Sequence, residues 1–555
     1  MHTGKGLPMK SEEHMRHSKQ VAKGTMLGLA GTVVAKLVSF AYIIYVARAF
    51  SQEDVGLFYL SFSVVTLLGI WHDFGLPAAL HRYVPFYEGK GEGRKAKDLL
   101  KLSYAVNIVS GIALAAGFWL LADYVAALYS NPLLANAIRL LSTYSLFSSI
   151  FAISTTYLQS RADIGASQIL GNLQNFLRLA LVILFFQVYG PSLFSLSISF
   201  VLTFVIGAVA AIPFLKKSTE DLPDGKQGLS GAEVWREIVP FGIMLTLLQS
   251  FWIIISSSDR VILGYLGGAA GTNEMIAVYS LATQLALVLM VFPSAIGAIF
   301  LPVISRLIAK NDHGAVRSVM ETSQSWMLFI SIPVAVVMIA FSGEMLSGFY
   351  GSSYRVGAST LAIFVAGLLF SILTYTVSYG LAAMRLVKIE LKVAFVAGAA
   401  NIILNILLIP HMGIEGAALA SAISFFISML LFNYYGGKFM DFAMPLSTWK
   451  LVLAGAVALC LAMLLKPAAS YAASIVPAIG SGDTSIYAAK AAYMVLVGLM
   501  TAISFALFAA LALLAKTFEH EDIAIMRATA EKARVPEQLI ALAEKIALFG
   551  VENKK

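Results

Sequence analysis

Apolar residues fill this chain in long runs, with polar residues gathered between them. A helix that crosses the hydrocarbon core needs roughly 20 apolar residues. Fourteen stretches approach that length: 24–47, 55–76, 100–122, 135–157, 167–188, 192–215, 237–258, 275–300, 323–342, 357–383, 390–410, 414–436, 449–466 and 487–515. The connections carry helix-ending residues, such as Gly190-Pro191 and the segment Pro410 to Gly416. The pattern predicts an all-α polytopic membrane protein. No short apolar core with a small-residue cleavage site follows the polar stretch Met1 to Lys23, so the first span, opening near Gly24, reads as the insertion signal.

Composition strengthens this picture. The chain is 59% hydrophobic and 13% charged, against about 25% charged in soluble domains. The net charge is +8, which the positive-inside rule explains better than nucleic acid does. Of 39 Lys and Arg, 31 fall in the two tails and alternate connections, whereas Arg48, Arg260, Arg355 and Lys466 fall in the opposite set. That asymmetry predicts cytoplasmic termini and residence in the cytoplasmic membrane. The single cysteine, Cys460, excludes an intrachain disulfide. The histidines lack metal-ligand spacing, and no P-loop, dinucleotide turn or Ser/His/Asp arrangement is present. The expectation is a transporter with no cofactor rather than an enzyme. With no ATP site, a gradient must drive it, which leaves Na⁺ or H⁺ coupling open.

Residues 175–200 align without a gap on 401–426, pairing Asn175 with Asn401, Gly190 with Gly416 and Ser195 with Ser421. Fainter echoes join residues 55–61 to 276–282 and Pro85 to Pro302. Repeated halves around a central cavity are a transporter plan. The expected organisation is a cytoplasmic N-tail (1–23), a six-helix lobe (24–215), a cytoplasmic linker (216–236), a second six-helix lobe (237–436), two extra spans (437–515) and an amphipathic cytoplasmic C-tail (516–555).

Charges inside spans cost ~2.5–3.5 kcal/mol on insertion scales and usually face a wet cavity or a partner. Lys36 and Arg178 lie halfway along spans 1 and 5, with no carboxylate at matching depth in that lobe. They read as a cationic cavity for an anionic group. Arg139 and Lys490 lie near span ends, where snorkelling suffices. Asp73 beside His72, and Asp259 beside Arg260, read either as cavity-rim pairs or as interfacial ion pairs. Gln249, Gln284, Asn401 and Asn405 fit sugar contacts and helix–helix hydrogen bonds equally well. The clear mid-span charges are cations, which suits an anionic lipid-linked diphosphate better than a cationic drug.

Three strings carry a family resemblance: HDFGLPAALHRYVPFYEGKGEGRKAKDLL, SSSDRVILGYLGG with the AVYSLATQLALVLMVFPSAIGAIFLPVISRL that follows, and NIILNILLIPHMGIEGAALASAISF. They resemble the polysaccharide biosynthesis proteins, the Wzx-like oligosaccharide flippases, over roughly residues 20–436. The superfamily also holds lipid II flippases and multidrug exporters. The resemblance implies a V-shaped pair of six-helix lobes and alternating access for a lipid-diphosphate oligosaccharide, with glycan polymerase or glycosyltransferases as partners. It assigns the cavity role to Lys36 and Arg178, then to Asp259, Arg260 and Arg82. The alternatives are a cation-coupled multidrug exporter, a lipid II-type flippase and a non-transporting scaffold. Spans 1 and 7 lack the mid-membrane acid that a cation-driven drug exporter wants.

Overall fold

A computed structural model describes residues 31, 34–220, 222, 227–267, 271–475, 498–499 and 502–514. Among them the secondary structure is helical, without strands. Among the described residues nine helices are long and apolar enough to cross a membrane, or ten when the bent pair Gly231–Leu248 and Ile253–Leu266 is taken as one span, so this is a multi-pass membrane protein. Fourteen spans are not individually seen. Lys490 and the C-tail lie outside the described residues, as do the N-tail, the start of the first span and much of the last.

The chain divides into two compact units, Met1–Ala277 and Val278–Lys555. The first begins with α1 (34–49), α2 (Gln52–Leu68) and α3 (Leu76–Gly89), then α4 (Gly93–Leu128) and α5 (Leu133–Ser160). It continues with α6 (Ile164–Tyr189), α7 (Leu193–Glu220) and α8 (Val239–Leu266). Short side-chain caps set several starts: Ser51 accepts from Asp54 N at 3.1 Å, and Asp163 from Ala166 N at 3.1 Å. The 36 residues of α4 make a rod of about 54 Å, far beyond the ~30 Å hydrocarbon core.

The expected second span, 55–76, is two helices. Residues 69–75 break it, with Phe74 and Gly75 at φ 49° and 68°. Asp73 Oδ1 takes the Gly75 N–H at 2.9 Å and holds the turn. A Cβ on Gly75 would sit 2.0 Å from the Gly242 carbonyl oxygen of α8. Apolar composition alone hides such a break, because it follows from backbone dihedrals and a close neighbour rather than from hydropathy.

The segment 227–238, which leads into α8, is folded. Ser230 caps Glu233 N at 3.1 Å, and a π-turn covers Val234–Ile238. It docks on the α3–α4 elbow: Tyr87 donates to Glu233 at 2.8 Å, Lys95 lies 3.3 Å from Glu233, and Asp98 accepts from Leu229 N at 3.1 Å. Leu80, Tyr83, Leu99, Tyr157 and Ile238 form the apolar core beneath it.

The second unit contains most of α9 (Thr272–Ala286), then α10 (Val291–Ala309), α11 (His313–Ala340) and α12 (Ala358–Ala383). A 3₁₀ segment, Leu287–Met290, separates α9 from α10, so the eighth expected span is also interrupted. α13 (Val387–Met440) folds back at Gly413, φ 57° and ψ −128°, conformations open mainly to glycine. The sequence alignment pairs Gly190 with Gly416, yet the left-handed residues are Gly190 and Gly413. α14 (Leu446–Ile475) runs past the expected end at 466 and packs on α11, where a Cβ at Gly455 would meet Ile332 at 2.3 Å. A last described helix, α15, covers 502–514.

Candidate functional site

Arg178 sits in the middle of α6, half-buried, between α1 and α7. Its guanidinium carbon lies 5.1 Å from the Phe200 ring centre, 5.6 Å from Tyr42 and 6.0 Å from Phe204. Phe200 and Phe204 are one helical turn apart on α7, and Tyr144 of α5 packs against both, at 5.2 and 4.9 Å. Phe58 and Phe62 of α2 extend the wall. The result is a guanidinium boxed by aromatic rings. Its Nε is buried without a hydrogen-bond acceptor, and no carboxylate lies within ion-pair range among the described residues. Cation–π contacts contribute about 0.5–2 kcal/mol. They fix the side chain but leave its charge without a paired acid and its Nε without an acceptor, a state that an incoming oxyanion would relieve.

Arg260 forms a second, smaller site on α8. Its Nη1 donates to Ser63 of α2 at 3.2 Å, and its guanidinium lies 5.7 Å from the Tyr59 ring. Its Nε is likewise buried without an acceptor. The neighbouring Asp259 is almost fully buried and engaged.

At the break in span 2, His72 Nδ1 lies 2.6 Å from the Gly69 carbonyl and Nε2 lies 2.5 Å from Ser149 Oγ. A carbonyl can only accept, so Nδ1 donates to Gly69, while Nε2 and Ser149 Oγ share the second hydrogen bond. Asp73 is half-buried and serves the turn. Lys36 is exposed on α1, and Arg82 is exposed on α3, 4.4 Å over the Phe241 ring. Arg139 pairs with Asp123 at 2.5 Å.

The polar residues of the second unit are arranged differently. Asn401 and Asn405 are fully buried. Asn405 donates to Asn401 at 3.1 Å, and Asn401 donates to Ser421 at 3.2 Å across the α13 hairpin. The first runs along one arm of the hairpin, and the second ties that arm to the other. Gln284 is half-buried and engaged, and the Gln249 side chain lies outside the described set. Thus the structure brings Arg178 together with Tyr42, Tyr144, Phe200 and Phe204, and Arg260 with Ser63 and Tyr59. It does not bring Lys36 or Arg82 to either group as an ion-pair or hydrogen-bond partner. Sequence reasoning missed the aromatic walls. The spacing of Phe200 and Phe204, one turn apart in a Ser-rich span, was the available signal. Among the described residues, no group of acids, His or Cys could hold a metal ion.

Comparison with known proteins bears on the whole chain. A family model described as polysaccharide biosynthesis protein matches residues 21–308, and a MatE model matches residues 243–407. An uncharacterized membrane protein of Methanocaldococcus jannaschii, MJ1068, is 24% identical over 477 residues, covering 81% of this chain and 91% of that protein. The probable low-salt glycan biosynthesis flippase Agl15 of Haloferax volcanii is 25% identical over 170 residues, 31% of this chain and 36% of that protein. The solved structure of the lipid II flippase MurJ, in an inward closed conformation, matches with a TM-score of 0.64 at 16% identity, covering 87% of this chain and 98% of that one. At that identity the structural likeness establishes the fold alone.

Proposed function

Since this chain belongs to the polysaccharide biosynthesis protein family, we propose that it is a flippase carrying a lipid-linked diphosphate oligosaccharide across the cytoplasmic membrane. The single observation that carries the substrate class is Arg178, a boxed guanidinium without an acid partner among the described residues. A diphosphate supplies the charge and the acceptors this group lacks. Arg260 is a second donor, and Lys36 a third cation on the same unit. In this reading both termini are cytoplasmic, the head group crosses by alternating access while its lipid tail stays in the bilayer, and Na⁺, H⁺ or the substrate's own gradient drives the cycle. Glycosyltransferases supply the substrate and a glycan polymerase consumes it.

The test is reconstitution. Purified protein in liposomes should move a fluorescent polyprenyl-diphosphate oligosaccharide between leaflets. Arg178→Gln should remove most of that movement while the protein stays folded and membrane-inserted. Full movement in Arg178→Gln would overturn the assignment of the site. A cation-coupled exporter is the second reading, favoured by the MatE match over residues 243–407. Drug resistance on overexpression, with surface glycan unchanged by deletion, would select it.

A further inference from the structure

The outward face of α3 is neither apolar nor evenly charged. Leu76, Ala79, Leu80, Tyr83, Val84 and Tyr87 are buried, which leaves Arg82, Phe86 and Lys90 exposed one turn apart. Lys90 Nζ lies 4.2 Å from the Phe86 ring centre. Arg82 lies 4.4 Å from the ring of Phe241, which α8 contributes to the same face. Cation and aromatic ring therefore alternate along α3, over about 12 Å from Arg82 to Lys90.

The acids nearby do not neutralise this ladder. Glu88 pairs with Arg161 at 2.6 Å. Glu92 and Glu233 hold Lys95 at 3.2 and 3.3 Å. Asp98 caps Leu229 N. Glu237, exposed one turn before Phe241, forms no ion pair with Arg82 or Lys90 among the described residues. Glu88, Glu92, Glu233 and Asp98 are thus engaged elsewhere, and Arg82 and Lys90 face outward. α3 begins at the break in span 2 and ends at the α3–α4 elbow, so the ladder leads from the elbow toward that break.

We propose that Arg82, Phe86, Lys90 and Phe241 form a landing track for the diphosphate-sugar head group, separate from the Arg178 box. The inference rests on the flippase reading. Arg82 and Lys90 supply two cations spaced along one helix for successive phosphoryl oxygens. Phe86 and Phe241 hold the two cations extended, and the exposed Phe86 adds apolar surface for the C–H face of a sugar ring.

The experiment uses the full chain in nanodiscs of zwitterionic lipid, with farnesyl diphosphate as probe and calorimetry as readout. Arg82→Gln/Lys90→Gln should weaken binding ~10-fold, as expected for loss of charge-assisted bonds. Phe86→Leu/Phe241→Leu should weaken it less and leave thermal unfolding unchanged. Inorganic pyrophosphate should compete if the diphosphate is what the track reads. If vesicles of phosphatidylglycerol compete and pyrophosphate does not, the face is a general anionic-lipid surface and the proposal falls. Unchanged binding in Arg82→Gln/Lys90→Gln, with weakened binding in Arg178→Gln, sinks the track and keeps the flippase site. Unchanged binding in both variants overturns the diphosphate reading itself.

Discussion

The two units differ in what surrounds their most prominent polar groups: mid-helix arginines in the first, buried amides in the second. In the first unit, Arg178 and Arg260 keep a buried Nε without an acceptor; three rings surround the Arg178 guanidinium, and Tyr59 with Ser63 flank that of Arg260. In the second, polar side chains bond to one another. Asn405, Asn401 and Ser421 form one chain of bonds, and Thr376, Gln324 and Thr448 form another across α12, α11 and α14. The charges follow suit, since Glu344 has Lys466 at 3.0 Å and Arg355 at 3.6 Å. Such bonds between buried side chains fix helix against helix, although the Asn405 Oδ1 is left without a donor. A mid-helix guanidinium with a buried donor left unpaired calls for a ligand or an explanation. The contrast separates a unit that presents chemistry from one whose polar groups stabilise packing.

The strongest way to break this contrast is Arg178→Gln. Translocation in liposomes should fall ~100-fold, the effect of removing one charged contact to a desolvated anion, with little change in unfolding temperature. A large loss of stability with normal transport would make Arg178 structural. Gly75→Ala probes the break in span 2. Its φ of 68° and the Gly242 oxygen 2.0 Å from a built Cβ should cost about 2–3 kcal/mol of stability, read by thermal unfolding in detergent. Asn401→Leu should do the reverse of Arg178→Gln. It removes the Ser421 and Asn405 bonds, lowers stability by about 0.6–2 kcal/mol, and leaves transport per folded molecule nearly intact. Transport lost at full stability would move Asn401 into the substrate site. The smallest effect belongs to Arg139→Gln. The partner Asp123 is 74% exposed, so stability should shift by less than about 1 kcal/mol and translocation should not change.

Much of the fold was legible from residues alone. Runs of apolar residues located the spans that the helices now trace, because a lipid-facing helix must be apolar along its length. Exposed Leu120, Val109 and Leu464, at 82%, 69% and 74%, are what such a surface requires. The turn at Gly190 and the reversal near Gly416 were also readable, although the left-handed residue of the second is Gly413. The division of span 2 was not readable. It depends on Phe74 and Gly75 adopting positive φ against the backbone of α8, a contact between residues about 170 positions apart. The same limit applies to the cations. Their depth along a helix was visible in the sequence, and their neighbours were not.

The sequence by itself determined the solvent of this protein, its family and the sign of its mid-membrane charges, all of which are sums over local composition. Only the tertiary structure decided which cation is boxed. Tyr42, Tyr144, Phe200 and Phe204 come from three helices and converge on Arg178 through packing. It also decided that Asn401 bonds to Ser421 across a hairpin. Composition is additive along the chain, whereas a site is a meeting of segments, and only folding brings those segments within reach of one another.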